Sequence, residues 1–158
     1  MSYPKQELFF HQLSRFQRMY AKSLATRLSP YGVQPGYLTI LDRLWEQDNI
    51  TQKALNATMD IEQATLSNTL KRMERDKLIK RTPNKEDRRR HLIQLTEKGL
   101  SIKPTVKAAI DDLRSAVNTG LTINDRKYFR RIMRQMTEQL ETDQMEPLVV
   151  LLDEITEE

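Results

Sequence analysis

Between residues 61 and 99 the chain reads IEQATLSNTLKRMERDKLIKRTPNKEDRRRHLIQLTEKG, and no other stretch limits the fold so tightly. Leu66, Leu70 and Met73 fall at i, i+4 and i+7, which predicts a helix over residues 62–75 with an apolar underside. Gln63, Thr65, Ser67, Asn68 and Lys71 occupy its other faces, so a helix seated on its leucines turns amides, hydroxyls and an ammonium outward. Asp76 and Lys77 end it. Residues 78–82 read as a strand, Pro83-Asn84 opens a turn, and residues 91–95 read as a second strand with Leu92 and Leu95 around polar Gln94. Residues 71–90 hold ten of the chain's 26 Lys and Arg against four Asp or Glu. Positive charge packed so closely on one helix and one hairpin is the footprint of a polyanion-binding surface.

The order helix, strand, basic hairpin, strand resembles the winged helix-turn-helix of the MarR family of bacterial transcriptional regulators. The resemblance is carried by Asp87-x-Arg89, five further residues, Leu95-Thr96 and then Gly99, in the family's own register. Arg72-Met73-Glu74 and residues 78–81 resemble the end of its recognition helix and its first wing strand. Met73 stands where Leu is commoner, and Lys77 where Gly is commoner. The flanking helices have the order and length the family requires, so the resemblance extends over most of the chain. It implies a mainly α fold, a two-stranded β-hairpin wing, and N- and C-terminal dimerisation helices. The whole chain is then a single MarR-like domain over residues 1–158, with the DNA-binding lobe at 35–99 and dimerisation helices at 5–28 and 100–158.

Composition narrows the chemistry further. With 158 residues the chain is long enough for one ordinary core. Charged residues at 30%, hydrophobic ones at 38% and a mean hydropathy of −0.67 suit a helix-rich protein with long charged surfaces. The first residues lack the basic start and long apolar core of a signal peptide, and nothing resembles a membrane span, so the expectation is a cytoplasmic, nucleoid-associated protein. No cysteine is present, which excludes a disulfide framework, a thiolate nucleophile and the cysteine-based peroxide sensing used by some members of the family. The net charge of +4 hides an asymmetry: residues 138–158 hold eight acidic side chains and no Lys or Arg. A positive middle and a negative end suit a protein that turns one face towards a polyanion.

Along the chain, Leu13, Phe16, Tyr20, Leu24 and Leu28 predict a helix over residues 5–28, stopped by Ser29-Pro30-Tyr31-Gly32. Leu8, Phe9 and Phe10 add apolar surface that a free helix would not leave in water, which points to a partner chain. A second helix is expected over 35–47, with Pro35 in its first turn and Leu38, Leu41, Leu44 and Trp45 buried. Thr51 is the expected N-cap of a short helix over 52–59, with Ala54, Leu55 and Thr58 packed beneath the next one. Beyond the hairpin, Thr96 caps a long helix carrying Val106, Ile110, Leu113 and Val117, and Pro104 should kink or break it near Ser101. Thr119-Gly120 stops that helix. Thr122 with Asp125 then caps a last major helix, ending at Asp143, with Phe129, Ile132, Met133, Met136 and Leu140 on its inner face. An apolar run at 148–152 with Ile155 should dock on a core or a second subunit.

These elements imply a division of labour. In a helix-turn-helix the second helix enters the major groove while the first braces it, and two lobes usually read half-sites about one helical turn apart. The expected assembly is therefore a homodimer on pseudo-palindromic double-stranded DNA. Gln63, Thr65, Ser67, Asn68 and Lys71 have the chemistry for base edges or adjacent phosphates, with Arg72 and Thr51 as phosphate contacts. Lys85, Arg88, Arg89 and Arg90 belong to a hairpin that can reach the minor groove, where narrow A·T-rich stretches attract Arg. The resemblance implies that Asp87 orients Arg89 rather than touching DNA. It also implies a repressor released by a small aromatic or phenolic anion. Tyr20, Tyr31, Tyr37 and Trp45 lie near where such a cleft would be, and Arg15 or Arg18 could offset a carboxylate; the competing reading of these residues is core packing.

Catalysis has no support in the residues. His11 and His91 are the two histidines, and there is no P-loop, no dinucleotide-binding turn, no HExxH and no zinc-ligand cluster. No catalytic residue, metal site or cofactor is expected. The alternative to a regulator is a winged-helix module used for architecture or protein contact, without ligand response.

Overall fold

The computed structural model describes residues 5–87 and 89–145, with side-chain surroundings from residue 8 onward. Arg88 and the apolar run at 148–155 lie outside the described residues. The chain divides into two compact units, one reaching Arg114 and one starting at Ser115.

The first unit holds α1 (Lys5–Leu28), α2 (Leu38–Glu46), β1 (Ile50–Thr51), α3 (Gln52–Ala57), α4 (Gln63–Arg75), β2 (Ile79–Pro83), β3 (His91–Leu95), α5 (Glu97–Ser101) and most of α6 (Lys103–Val117). Helix α1 has its expected bounds and stops where Ser29-Pro30-Tyr31 tightens into a 3-10 turn and Gly32 takes φ +70°. A second 3-10 turn, Pro35–Tyr37, replaces the expected first α-helical turn of α2, because Pro35 donates no hydrogen bond and the Tyr37 amide closes onto Gln34 O at 2.9 Å.

The core of this unit is one apolar cluster in which Leu28, Leu41, Leu44, Leu55, Leu66, Leu70 and Met73 are fully enclosed. Ile40 rather than Leu38 completes the inner face of α2, and Trp45 is half-buried at its edge. Helix α3 is shorter than expected, and only Leu55 among the three residues assigned to its underside is buried; Ala54 and Thr58 are exposed. A six-residue helix presents little more than one turn to its neighbour, so a single side chain suffices.

The wing contains a strand that the sequence pattern did not suggest. Ile50 and Thr51 pair antiparallel with Ile93 and Leu92, so the sheet has three strands in the order β1-β3-β2. In β3 the buried side chains are Ile93 and Leu95, at a spacing of two, while Leu92 is half-buried on the other face. The side-chain alternation of a strand requires that pairing and not Leu92 with Leu95. After β3, Thr96 accepts from the Gly99 amide at 3.0 Å and starts α5. The expected break then comes at Ile102, two residues ahead of Pro104.

The second unit is dominated by α7 (Ile123–Met145), which runs two residues past the expected end. Its start is a reciprocal capping box: the Asp125 amide donates to Thr122 Oγ1 at 3.1 Å, and the Thr122 amide donates to Asp125 Oδ2 at 2.8 Å. None of its residues is buried.

Candidate nucleic-acid interface

The geometry of α4 follows from which side chains the core takes. Leu66, Thr69, Leu70 and Met73 are buried, and Thr69, the polar member, spends its hydroxyl on Thr65 O at 2.8 Å. What remains outward is Gln63, Thr65, Asn68, Lys71 and Arg72, all exposed, with Ser67 half-buried at the margin. The expected base-reading set thus shares the solvent side of one helix, and its amide and ammonium groups are uncommitted among the described residues.

The hairpin tip beside it is built by turn hydrogen bonds. The Asn84 amide donates to Arg90 O at 2.9 Å, the Arg90 amide to Asp87 O at 3.0 Å, and the Glu86 amide to Asn84 Oδ1 at 3.0 Å. Asp87 receives the Arg89 amide on Oδ1 at 3.0 Å and faces Arg90 Nε from Oδ2 at 3.6 Å. Asp87 therefore acts on the Arg89 backbone, while its side-chain pairing goes to Arg90. Lys85, Arg89 and Arg90 are exposed. Thr51 caps α3: its hydroxyl accepts the Ala54 amide at 3.1 Å, a bond that uses an oxygen lone pair and leaves the O–H able to donate to a phosphate.

Residues 34–91 match the profile of the MarR family. Over those residues the chain belongs to the MarR family. Among its relatives, the organic hydroperoxide resistance transcriptional regulator of Bacillus subtilis strain 168 is 42% identical over 69 residues, which cover 44% of this chain and 46% of that one. The HTH-type transcriptional regulator TtmR of Methylorubrum extorquens strain PA1 is 30% identical over 127 residues, 79% of this chain and 61% of TtmR. The chain thus spans about half to three-fifths of the length of these two relatives. A crystal structure of a mutant MarR from E. coli complexed with operator DNA has the same fold, with a TM-score of 0.73 at 20% identity over 85% of this chain and 99% of that one.

The MarR signature acquires a physical meaning here. A Cβ on Gly99 would overlap the Leu78 carbonyl oxygen, so only glycine lets α5 lie against the start of β2. Thr96 does double work, accepting the Gly99 amide while donating its hydroxyl to Lys77 O at 2.6 Å, and its own amide bonds Leu78 O at 3.0 Å. Leu95-Thr96-x-x-Gly99 is therefore a clamp between the exit of the wing and the end of α4.

Two polar groups that sequence reasoning assigned no such role join these elements. Arg81 on β2 sets Nε 3.2 Å from Glu74 Oε2 of α4 as an ion pair, and donates from Nη1 to Gln52 Oε1 of α3 at 3.4 Å. At the end of α4, the Tyr37 hydroxyl donates to Asp76 Oδ2 at 2.6 Å. Burial, reinforced by that carboxylate, pushes the Tyr37 phenol up to about 12. The same hydroxyl, with Arg75 and Lys98 assisting, holds Asp76 below the usual carboxylate range. The one advance signal was Lys77 in place of Gly: its φ is +62°, the left-handed conformation that closes the helix, with the Leu78 amide bonding Met73 O at 3.0 Å.

Of the six residues expected near an effector cleft, Tyr37 is buried and bonded to Asp76, and Trp45 donates its indole N–H to Gly99 O at 2.9 Å. Arg15, Arg18 and Tyr31 are exposed, and Tyr20 is half-buried against Phe16, ring centroids 5.8 Å apart. No helix among the described residues is long and apolar enough to cross a membrane.

Proposed function

We propose that this chain is a sequence-specific double-stranded DNA-binding transcriptional regulator, a repressor, acting as a homodimer on a pseudo-palindromic operator. The observation that carries the reading is the juxtaposition on one lobe of an outward set of amides, hydroxyls and Lys71 on α4 with the exposed cations Lys85, Arg89 and Arg90 of the wing. Helix α4 enters the major groove, where Gln63 and Asn68 suit adenine and Lys71 suits guanine or a phosphate, with Thr65, Ser67 and Arg72 as neighbouring contacts. The wing arginines, Arg88 among them, grip the backbone and the adjacent minor groove. Thr51 supports the site as the cap of α3.

The second copy covers apolar surface that each chain leaves in water: Leu8, Phe9 and Phe10 on α1, and Phe129, Ile132, Met136 and Leu140 on α7. An anionic phenol or aromatic carboxylate is the effector class that Tyr20, Tyr31, Arg15 and Arg18 suit. A peroxide-reactive thiol is not available to this chain. Binding, not catalysis, is the activity assigned, and the bacterial cytoplasm is its compartment.

The test is selection of bound duplexes from a randomised pool, followed by titration at several salt concentrations. The reading expects an inverted repeat with half-site centres about 10 base pairs apart. It also expects log affinity to fall against log salt by about 0.9 per phosphate neutralised. A pool that shows no enrichment, or affinity indifferent to salt, would reject it.

A further inference from the structure

The last turn of α4 breaks two local rules at once. Asp76 places a carboxylate at the C-terminal end of a helix, where the macrodipole already concentrates negative charge. Lys77 beside it holds φ +62°, a conformation costly for any residue with a Cβ. Adjacent violations of this kind persist only where surrounding groups offset them.

What they do is visible in their partners. Tyr37, at the end of the 3-10 turn that leads into α2, donates its hydroxyl to Asp76 Oδ2 at 2.6 Å, and Arg75 Nε approaches Oδ1 at 3.3 Å. From the wing exit, Lys98 Nζ donates to Asp76 O at 3.1 Å and the Thr96 hydroxyl to Lys77 O at 2.6 Å. The Lys98 ammonium also lies over Gly32, where a Cβ would stand 3.1 Å away. The turn before α2, the last turn of α4 and the wing exit leading into α5 therefore converge on Asp76 and Lys77, and Lys98 reaches from there to the turn after α1. The Tyr37 ring alone would fill its place in the core equally well as a phenylalanine; the hydroxyl adds only the bond to Asp76.

We infer that Tyr37 and Asp76 are positioning residues for DNA reading: their hydroxyl–carboxylate bond fixes the tilt of α4 relative to α1 and the wing, and with it the geometry at which the two half-sites are read. The inference rests on the proposed reading of α4 as the recognition helix. The Pro35–Tyr37 turn packs against both α1 and α4, so the bond ties α4 to a turn seated on the helix assigned to dimerisation.

The experiment compares wild type, Tyr37→Phe, Asp76→Ala, Asp76→Asn and the double variant Tyr37→Phe/Asp76→Ala. Each full-length chain is titrated with the selected duplex, the same duplex with one base pair inserted between half-sites, and a scrambled duplex, at one salt concentration. Melting followed by circular dichroism reports the fold of each. Tyr37→Phe and Asp76→Ala should each lower the selected-to-scrambled affinity ratio roughly tenfold, as loss of a hydrogen bond to a charged group warrants, and the double variant should lose no more than the worse single. Both should also discriminate less against the inserted base pair, while affinity for scrambled DNA stays put. Asp76→Asn, which still accepts the hydroxyl, should keep most of the ratio. A wild type with no preference overturns the DNA reading and this inference with it. A wild type whose preference survives intact in Tyr37→Phe and Asp76→Ala, whatever their melting temperatures, overturns the inference alone.

Discussion

The winged lobe and helix α7 solve the hydrophobic problem in opposite ways. In the lobe, leucines from α2, α3 and α4 meet in one cluster, and Leu41, Leu44, Leu55, Leu66 and Leu70 are completely enclosed. On α7 an equally regular apolar stripe stays in water: Phe129 is 57% exposed, Ile132 46%, Met136 41% and Leu140 61%. Both stripes have helical spacing, so amphipathic pattern alone does not tell a core face from an interface. The difference shows which part of the chain satisfies itself and which needs a cover.

Truncating one residue of each kind sharpens the contrast most. Leu70→Ala should cost about 3 kcal/mol of stability in denaturant unfolding, because a closed core keeps the cavity. Leu140→Ala should change the unfolding of the dissociated chain by less than about 0.5 kcal/mol. Its effect should appear as weaker self-association in sedimentation equilibrium. If the two variants destabilised the dissociated chain equally, the distinction would be wrong.

Glycines extend the comparison. Gly99→Ala drives a methyl group into the Leu78 carbonyl and should cost about 3 kcal/mol, with the wing exit displaced. Gly120, at φ +80° with nothing within 4 Å of where a methyl group would stand, should lose only the backbone term on Gly120→Ala, about 1 kcal/mol. Equal melting temperatures for the two variants would mean that the clamp between α5 and β2 is looser than its geometry.

Lys77 offers a gain. Replacing it with glycine relieves the left-handed backbone at the end of α4 without touching the carbonyl that Thr96 binds, so Lys77→Gly should raise stability by about 1 kcal/mol in the same unfolding assay. An unchanged or lowered midpoint would show that the Lys77 side chain does more than fill the position.

How much of this was legible beforehand depends on the kind of interaction. Periodicity exposed α1, α4 and α7, and the capping pairs Thr51–Ala54, Thr96–Gly99 and Thr122–Asp125 followed from residue type and spacing. The hairpin strands were legible because turn residues bracket them. Strand β1 was not, since two residues carry no alternation and owe their conformation to pairing with β3. The solvent-facing side of α4 could be read by subtraction from its apolar stripe. Tyr37–Asp76 could not, because its partners are 39 residues apart and neither belongs to a pattern.

The smallest expected effect is acidic. Asp76 is held below the ordinary carboxylate range, chiefly by the Tyr37 hydroxyl, so its contribution to stability is fully present above the unfolded value near about 4 and is lost as pH falls through the lower folded value. Tyr37→Phe should therefore flatten the acid limb of a stability-against-pH curve, measured by urea unfolding. An acid limb identical to wild type would remove the link.

The most direct test of the account asks whether α4 reads sequence while the wing supplies grip. Gln63→Ala, Ser67→Ala and Asn68→Ala are compared with Arg89→Ala on the selected operator and on scrambled duplex at one salt concentration. Losing a bidentate base contact should cost about 1–3 kcal/mol on the operator and little on scrambled DNA, whereas losing Arg89 should weaken both together. If all three helix variants keep the wild-type specificity ratio while Arg89→Ala collapses it, sequence is read by the wing or by DNA shape, and the assignment of roles is contradicted.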